Sequence, residues 1–179
     1  APPNPPAWAN GNANKTQAHL AEGYSQAYRL VISGLSLGAN SITIEWDTKS
    51  GGKHGIDFIT HYQRLLAHTP IFGHPAETVQ PLLGLAGTFS APTTFPIPTP
   101  SGTNNGHDVA TFFNSLPISE RLMTIYNGTI SSMSYPLQES LTQAAAKTRL
   151  TINYNATDST VVLAWGGHIA RSPDWGVGF

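Results

Sequence analysis

The sequence predicts an all-β chain: an antiparallel β-sandwich, jelly-roll or immunoglobulin-like, with long Pro- and Gly-rich loops and one or two short helices. Three observations predict it. Over residues 40–48, Ile42, Ile44 and Trp46 interleave with Thr43, Glu45 and Asp47, the period-2 pattern of a strand with one buried face. Several further runs rich in β-branched and aromatic residues follow, separated by Gly, Pro, Asn and Asp. Helix signals are few.

Taken in order, the chain opens on "APPNPPAWANGNAN", with four prolines in its first six positions. Residues 1–16 are expected to form an extended arm, and 17–179 one β-sandwich domain. Residues 25–35 and 40–48 read as strands joined by the turn-like "GLSLGAN". The glycines of "TKSGGK" make residues 48–54 the tip of a hairpin that returns through "IDFITHYQR". Residues 75–87 start like a helix, which Pro81 and Gly84 cut short. Residues 87–106 hold four prolines and no charge. They read as an extended, partly polyproline-like loop across the sheet, anchored by Phe89, Phe95 and Ile97. Strands are expected over 108–115, over 121–135 with an interruption at Asn127-Gly128, over 149–155 and over 160–170. The last two flank the turn "ATDS" as a second hairpin. Residues 140–147, "SLTQAAAK", are the best helical stretch.

Composition narrows the function classes. Only 11% of the 179 residues are charged, and the net charge is -1, so there is no basic face for nucleic acid and no polybasic patch for a membrane surface. No apolar run is long enough to span a bilayer. Without cysteine, disulfides and thiolate metal sites are excluded. The opening "APPNPPAW" reads like a mature terminus left after signal-peptide removal. Together with sequons at Asn14, Asn127 and Asn155, it gives the expectation of a secreted, extracellular or cell-surface glycoprotein.

Three stretches carry a family resemblance: "GNANKTQAHLAEGYSQAYRLVISGLSLGANSITIEWDTKSGGKHGIDFITHYQR", "TFPIP" and "VLAWGGHIARSPDWGVG". They are similar to an uncharacterised family of secreted bacterial domains found in large surface or adhesin-like proteins, in which "IEWDT", "GKHxxD" and "WGGHIA" recur in this order. The resemblance spans most of the chain and implies an extracellular β-domain with no established chemistry. It also implies a further β-like stretch after "DWG", so that a sandwich ending at Phe179 would keep one unpaired edge.

The charge concentrates in residues 41–64, where Glu45, Asp47, Lys49, Lys53, Asp57 and Arg64 stand beside His54 and His61. As a calcium loop this is poor, since Asp47 and Asp57 lie ten residues apart with lysines between, and calcium wants six to eight oxygens at close spacing. His54 and His61 lack the tight spacing of a zinc pair. No nucleophile elbow supports a hydrolase. The structural reading is a cluster of Trp46, Asp47, Lys53, His54 and Asp57 that caps the hairpin, with Asp57 paired to Lys53 or Arg29 to hold its register. His168 reads as a hydrogen-bonded histidine beside a close strand crossing. Trp46 and Trp165 fall in strand alternation and belong in the core. Trp8 and Trp175 lie in irregular ends and are candidates for subunit or glycan contact, or for pinning the termini.

The expectation is a non-catalytic extracellular subunit of a surface assembly or filament, self-associating into a homopolymer by strand addition through its N-terminal arm. The alternative is a carbohydrate-binding or adhesin module, with calcium as a candidate aid to binding. No catalytic residue and no obligate cofactor are expected, nor a nucleic-acid partner or membrane insertion.

Overall fold

The computed structural model describes residues 7–11, 20–64, 73 and 78–175. In chain order these form β1 (Ser25–Ser33), β2 (Gly38–Ser50), β3 (Lys53–His54), β4 (Ile56–Thr60), β5 (Thr93–Pro96), β6 (Thr103–Asn104) and β7 (His107–Asp108). Then come α1 (Val109–Ser115), a 3-10 turn (Ile118–Glu120), β8 (Leu122–Tyr126), β9 (Gly128–Gln138), β10 (Ala146–Ala156), β11 (Thr160–Ile169) and α2 (Ser172–Trp175).

Two antiparallel sheets make the sandwich. The first runs β1-β11-β8-β5, with β4 also pairing β11 beyond the end of β8; the second runs β3-β2-β10-β9. Leu30, Ile32, Met123, Ile125, Val161 and Leu163 of the first sheet share one core with Ile42, Ile44, Ile130, Leu150, Ile152 and Tyr154 of the second. Burial of these alternating aliphatic faces is the main force holding the sheets together. The short β6–β7 ladder and the two helices belong to neither sheet.

The all-β sandwich expected from the pattern is what forms, but four local expectations need correction. Residues 108–115 are a helix, not a strand. Asp108 caps it by accepting the Ala110 N–H at 3.0 Å, and Val109 and Phe113 are its buried residues, spaced one helical turn apart. Residues 140–147 are a turn running into β10, and Ala146 and Lys147 join the ladder with β2. Cross-strand pairing has overridden the helix propensity of the alanines. Of residues 75–87, those at 78–87 form turns closed by Leu83 N–H to the Gln80 carbonyl and Leu85 N–H to the Leu82 carbonyl; the first part lies outside the described residues. The "ATDS" connection is not a hairpin. It carries the chain from β10 in one sheet to β11 in the other.

The interruption at Asn127 is also a change of sheet, from β8 to β9. Asn127 takes φ 58° there, and a Cβ on Gly128 would sit 2.8 Å from the Asn155 carbonyl oxygen. The β2–β3 hairpin does form. Gly51 and Gly52 both have positive φ, which a tight two-residue turn with the strands' own twist demands. Its return strand pairs only through Lys49–His54 and Ser50–Lys53, and β4 then crosses to the first sheet. The proline-rich stretch lies along that sheet: β5 pairs β8 at its edge, and Ile97 is buried with its N–H on the Arg121 carbonyl at 2.9 Å.

Candidate functional site

Two features stand out from the scaffold: a buried polar cluster built on β4 and β11 of the first sheet, and an open seam between the sheets.

The cluster begins with an irregularity. Opposite β11, Phe58 pairs His168 and Ile56 pairs Ile169, so Asp57 has no partner of its own. An extra residue of this kind is a β-bulge, which re-aims side chains. Here it brings Asp57 and Phe58 together on His168. Asp57 Oδ1 lies 2.6 Å from His168 Nδ1 and accepts the Phe58 N–H at 3.0 Å, while Oδ2 accepts the Trp175 indole N–H at 3.3 Å. Phe58 stacks on the His168 ring at 4.2 Å. The Asp57 and His168 side chains are 1% and 6% exposed. Burial raises the Asp57 carboxyl above its ordinary value, against the pull of His168, Trp175 and the Phe58 N–H.

Trp175, the last residue of α2, is fully buried. Its ring stacks on His54 at 4.3 Å and meets Phe112 of α1 edge-on. Its carbonyl accepts the Asn105 side-chain N–H at 3.2 Å, and Glu22 accepts the Ser172 N–H at the other end of α2 at 2.9 Å. His54 Nε2 lies 2.9 Å from Asn104 Nδ2. Burial, then the Lys49 charge, push His54 down to about 4, so it is neutral at pH 7.

A buried His–carboxylate pair is half of a hydrolytic triad, whose other half is a hydroxyl on the second ring nitrogen. Among the described residues, the His168 ring hydrogen-bonds to Asp57 alone. The second histidine near a hydroxyl is His61, 3.4 Å from Thr124 Oγ1 through Nε2. Its Nδ1 accepts the Gln63 N–H at 3.1 Å, so in the neutral ring Nε2 carries the proton. That tautomer donates to Thr124 and cannot serve as its base. Nearby, Arg64 joins Glu120 at 2.7 Å and also donates to the Gly23 carbonyl.

The seam lies where β2 faces the open side of the first sheet. There Tyr28, Ile44, Trp46, Ile56, Ile59, Trp165 and Gly167 line a recess of about 130 Å³, with Glu45 as its one charged neighbour. Tyr28 and Trp165, directly opposite in the β1–β11 ladder, stack at 6.0 Å. Beside the recess runs a free strand edge, since β11 alone pairs with β1 among the described residues. The Ile169 N–H bonds the Tyr24 carbonyl. Antiparallel alternation from that pair points the N–H and C=O groups of Gln26, Tyr28, Leu30 and Ile32 at β11. Those of Ala27, Arg29 and Val31 point away from it.

The expected hairpin cluster does not assemble. Trp46 is half-buried and donates its indole N–H to the Ile56 carbonyl at 3.1 Å. Asp47 and Lys53 are exposed, and Asp47 comes no closer than 4.0 Å to Lys147. Asp57 pairs with His168 rather than with Lys53 or Arg29. Arg29 donates instead to the Pro81 and Leu83 carbonyls at 2.9 and 2.7 Å. Glu45 makes the ion pairs on β2, with Lys147 at 2.8 Å and Arg149 at 2.6 Å across the strand. The one sequence signal for them was the alternation of Lys147 and Arg149 in "AKTRL".

Asp47 and Asp57 share no calcium site, one being exposed and the other enclosed. Among the described residues no three His, Cys, Asp or Glu side chains converge on a point. Trp175 is no surface for a subunit or a glycan, because it is wholly buried. Trp8 is half-buried, with its indole N–H on the Gln80 carbonyl at 2.8 Å and its ring under Arg29 at 4.7 Å. Asn127 cannot carry a glycan in the folded chain: it is 5% exposed, it accepts from the Ser90 N–H, and it donates to the Thr160 carbonyl. Asn155 is exposed on β10, and Asn14 lies outside the described residues.

No protein-family model, curated protein or solved structure matches the chain. No helix among the described residues is long and apolar enough to cross a membrane.

Proposed function

We propose that the chain is a non-catalytic structural module of an extracellular assembly, and that it polymerises by accepting a strand from a second copy along the free edge of β1. The observation that carries this reading is the coincidence of that edge with the apolar recess. An incoming strand would bond to Ala27, Arg29 and Val31 while setting alternate side chains over Tyr28, Trp46 and Trp165. The recess is close in size to a cavity that holds benzene, at about 150 Å³, so one branched or aromatic side chain suits it.

The neighbouring edge of β2 is less inviting, because Glu45 and Asp47 lie along it, and charge guards an edge against pairing. On β1 the sole charge is Arg29, and its side chain is folded onto the Pro81 and Leu83 carbonyls. Val31 and Tyr28 are both 37% exposed. A head-to-tail contact of this kind gives a fibre or a ring. The proline-rich arm is a poor donor strand, since proline offers no N–H to the ladder; part of it, at Trp8, sits against its own domain. A glycan is the weaker occupant of the recess. Stacking aromatics are present, but sugar hydroxyls need polar partners, and Glu45 is committed to Lys147 and Arg149.

Val31→Pro tests the reading. It removes an N–H that points away from β11, so the fold survives by circular dichroism and cooperative melting. Analytical ultracentrifugation should show concentration-dependent assembly of the natural chain and its loss in the variant. A natural chain that stays monomeric at high concentration, or a variant that assembles as well, defeats the proposal.

A further inference from the structure

The buried cluster has the build of a latch. Trp175 is gripped on three sides: His54 stacks on its ring, Asp57 accepts its indole N–H, and Asn105 donates to its carbonyl. The parts doing the gripping are small. α2 has four residues, β3 has two, and the β6–β7 ladder that carries Asn104 and Asn105 pairs two residues on each side. Elements with so few ladder bonds open at far lower cost than β10 or β11, which are paired along their lengths.

We propose that α2 is an acid-released latch: protonation of His54, beside Lys49 and against the buried Trp175 ring, frees Trp175 while the sandwich stays folded. The charges around the site favour this direction. Lys49, on β2, is buried with its ammonium on the Leu141 carbonyl and repels a second cation. Lys53 shares β3 with His54, and its side chain is exposed to solvent. Asn104 of β6 lies on the His54 ring, and His107 of β7 stacks on Phe112, the aromatic that abuts Trp175. Across Trp175, Asp57 of β4 is occupied by His168 of β11. Burial and Lys49 hold His54 down to about 4, which sets the acid end of its working range.

The test follows the Trp175 indole N–H and the backbone amides of β10 and β11 by NMR in the full chain, from pH 7 down to pH 3.5. A native indole signal lost with a midpoint near 4, while the β10 and β11 amides keep their native positions, supports the latch. His54→Phe keeps the ring stack and cannot be protonated, so it should hold Trp175 in place to lower pH. If the variant releases Trp175 at the same pH as the natural chain, the trigger lies at Asp57 and the proposal falls. It falls equally if the indole and the core amides are lost together, since that is global unfolding.

Discussion

At the scale of single residues, the two aspartates of "EWDTKSGGKHGID" part company. Asp47 stands in solvent with one distant lysine, whereas Asp57 meets three hydrogen-bonding partners in a sealed site. Asp57→Ala would leave the His168 ring and the Trp175 indole unanswered inside the protein. Leaving a buried hydrogen-bonding group without its partner costs about 1–3 kcal/mol, and chemical denaturation should show a loss of that order. Asp47→Ala should stay within about 0.5 kcal/mol of the natural chain, as exposed substitutions do. Equal effects from the two would contradict this arrangement. The sequons divide in the same way. Expressed in a glycosylating host, the chain should carry sugar at Asn155 and never at Asn127, which peptide mass spectrometry can decide.

Glycines limit the elements, and they do so for steric reasons. On β11, a Cβ at Gly166 would lie 2.5 Å from Thr60 Oγ1 and 2.8 Å from the His61 carbonyl oxygen. The end of β4 and the chain after it close over that glycine. Gly166→Ala should therefore lower stability by about 1–3 kcal/mol, the usual cost of overpacking, seen as a lower melting temperature with assembly of the folded fraction unchanged. Gly52, at φ 81° with open space around it, tests conformation alone. On β1, proline should separate the two edges: Leu30→Pro removes a bond to β11 and destabilises the fold, whereas Val31→Pro does not. Equal damage from both would mean the alternation along β1 is assigned the wrong way round.

For the whole molecule, the buried cluster adds two opposed contributions to the pH profile. His54 is held at about 4, below its ordinary 6.5, so between those values the unfolded chain binds the extra proton. Its contribution is complete above pH 6.5 and is lost as pH falls towards 4. Asp57 is raised, so there the folded chain binds the extra proton. Its contribution is complete below the ordinary carboxylate value, near 4, and is lost as pH rises through its folded value. Denaturation at a series of pH values should show His54→Phe reducing the acid-side loss and Asp57→Asn reducing the opposite slope. Unchanged profiles in both would count against the cluster's geometry. Chelation gives a simpler check. With Asp47 and Asp57 apart, EDTA should leave the melting temperature where it was, and a large fall would reveal a cation bound to the folded state.

What the sequence determined by itself was the kind of architecture. The alternation of Ile42, Ile44 and Trp46, the paired glycines at the β2–β3 turn and the break at Asn127 are local facts, and local physics makes strands, a tight turn and an interruption of them. It went wrong where local propensity lost to partners distant in sequence. "SLTQAAAK" became turn and strand because Ala146 and Lys147 had β2 to pair with, and "ATDS" could not reveal that its two strands belong to opposite sheets. The polar cluster was the least legible part. His168 and Asp57 were each visible as unusual residues, but they stand 111 positions apart, and only a bulge in β4, created by its register against β11, turns one towards the other. The free edge of β1 and the recess beside it were likewise decided by tertiary structure, because an edge is defined by which strands are neighbours in space.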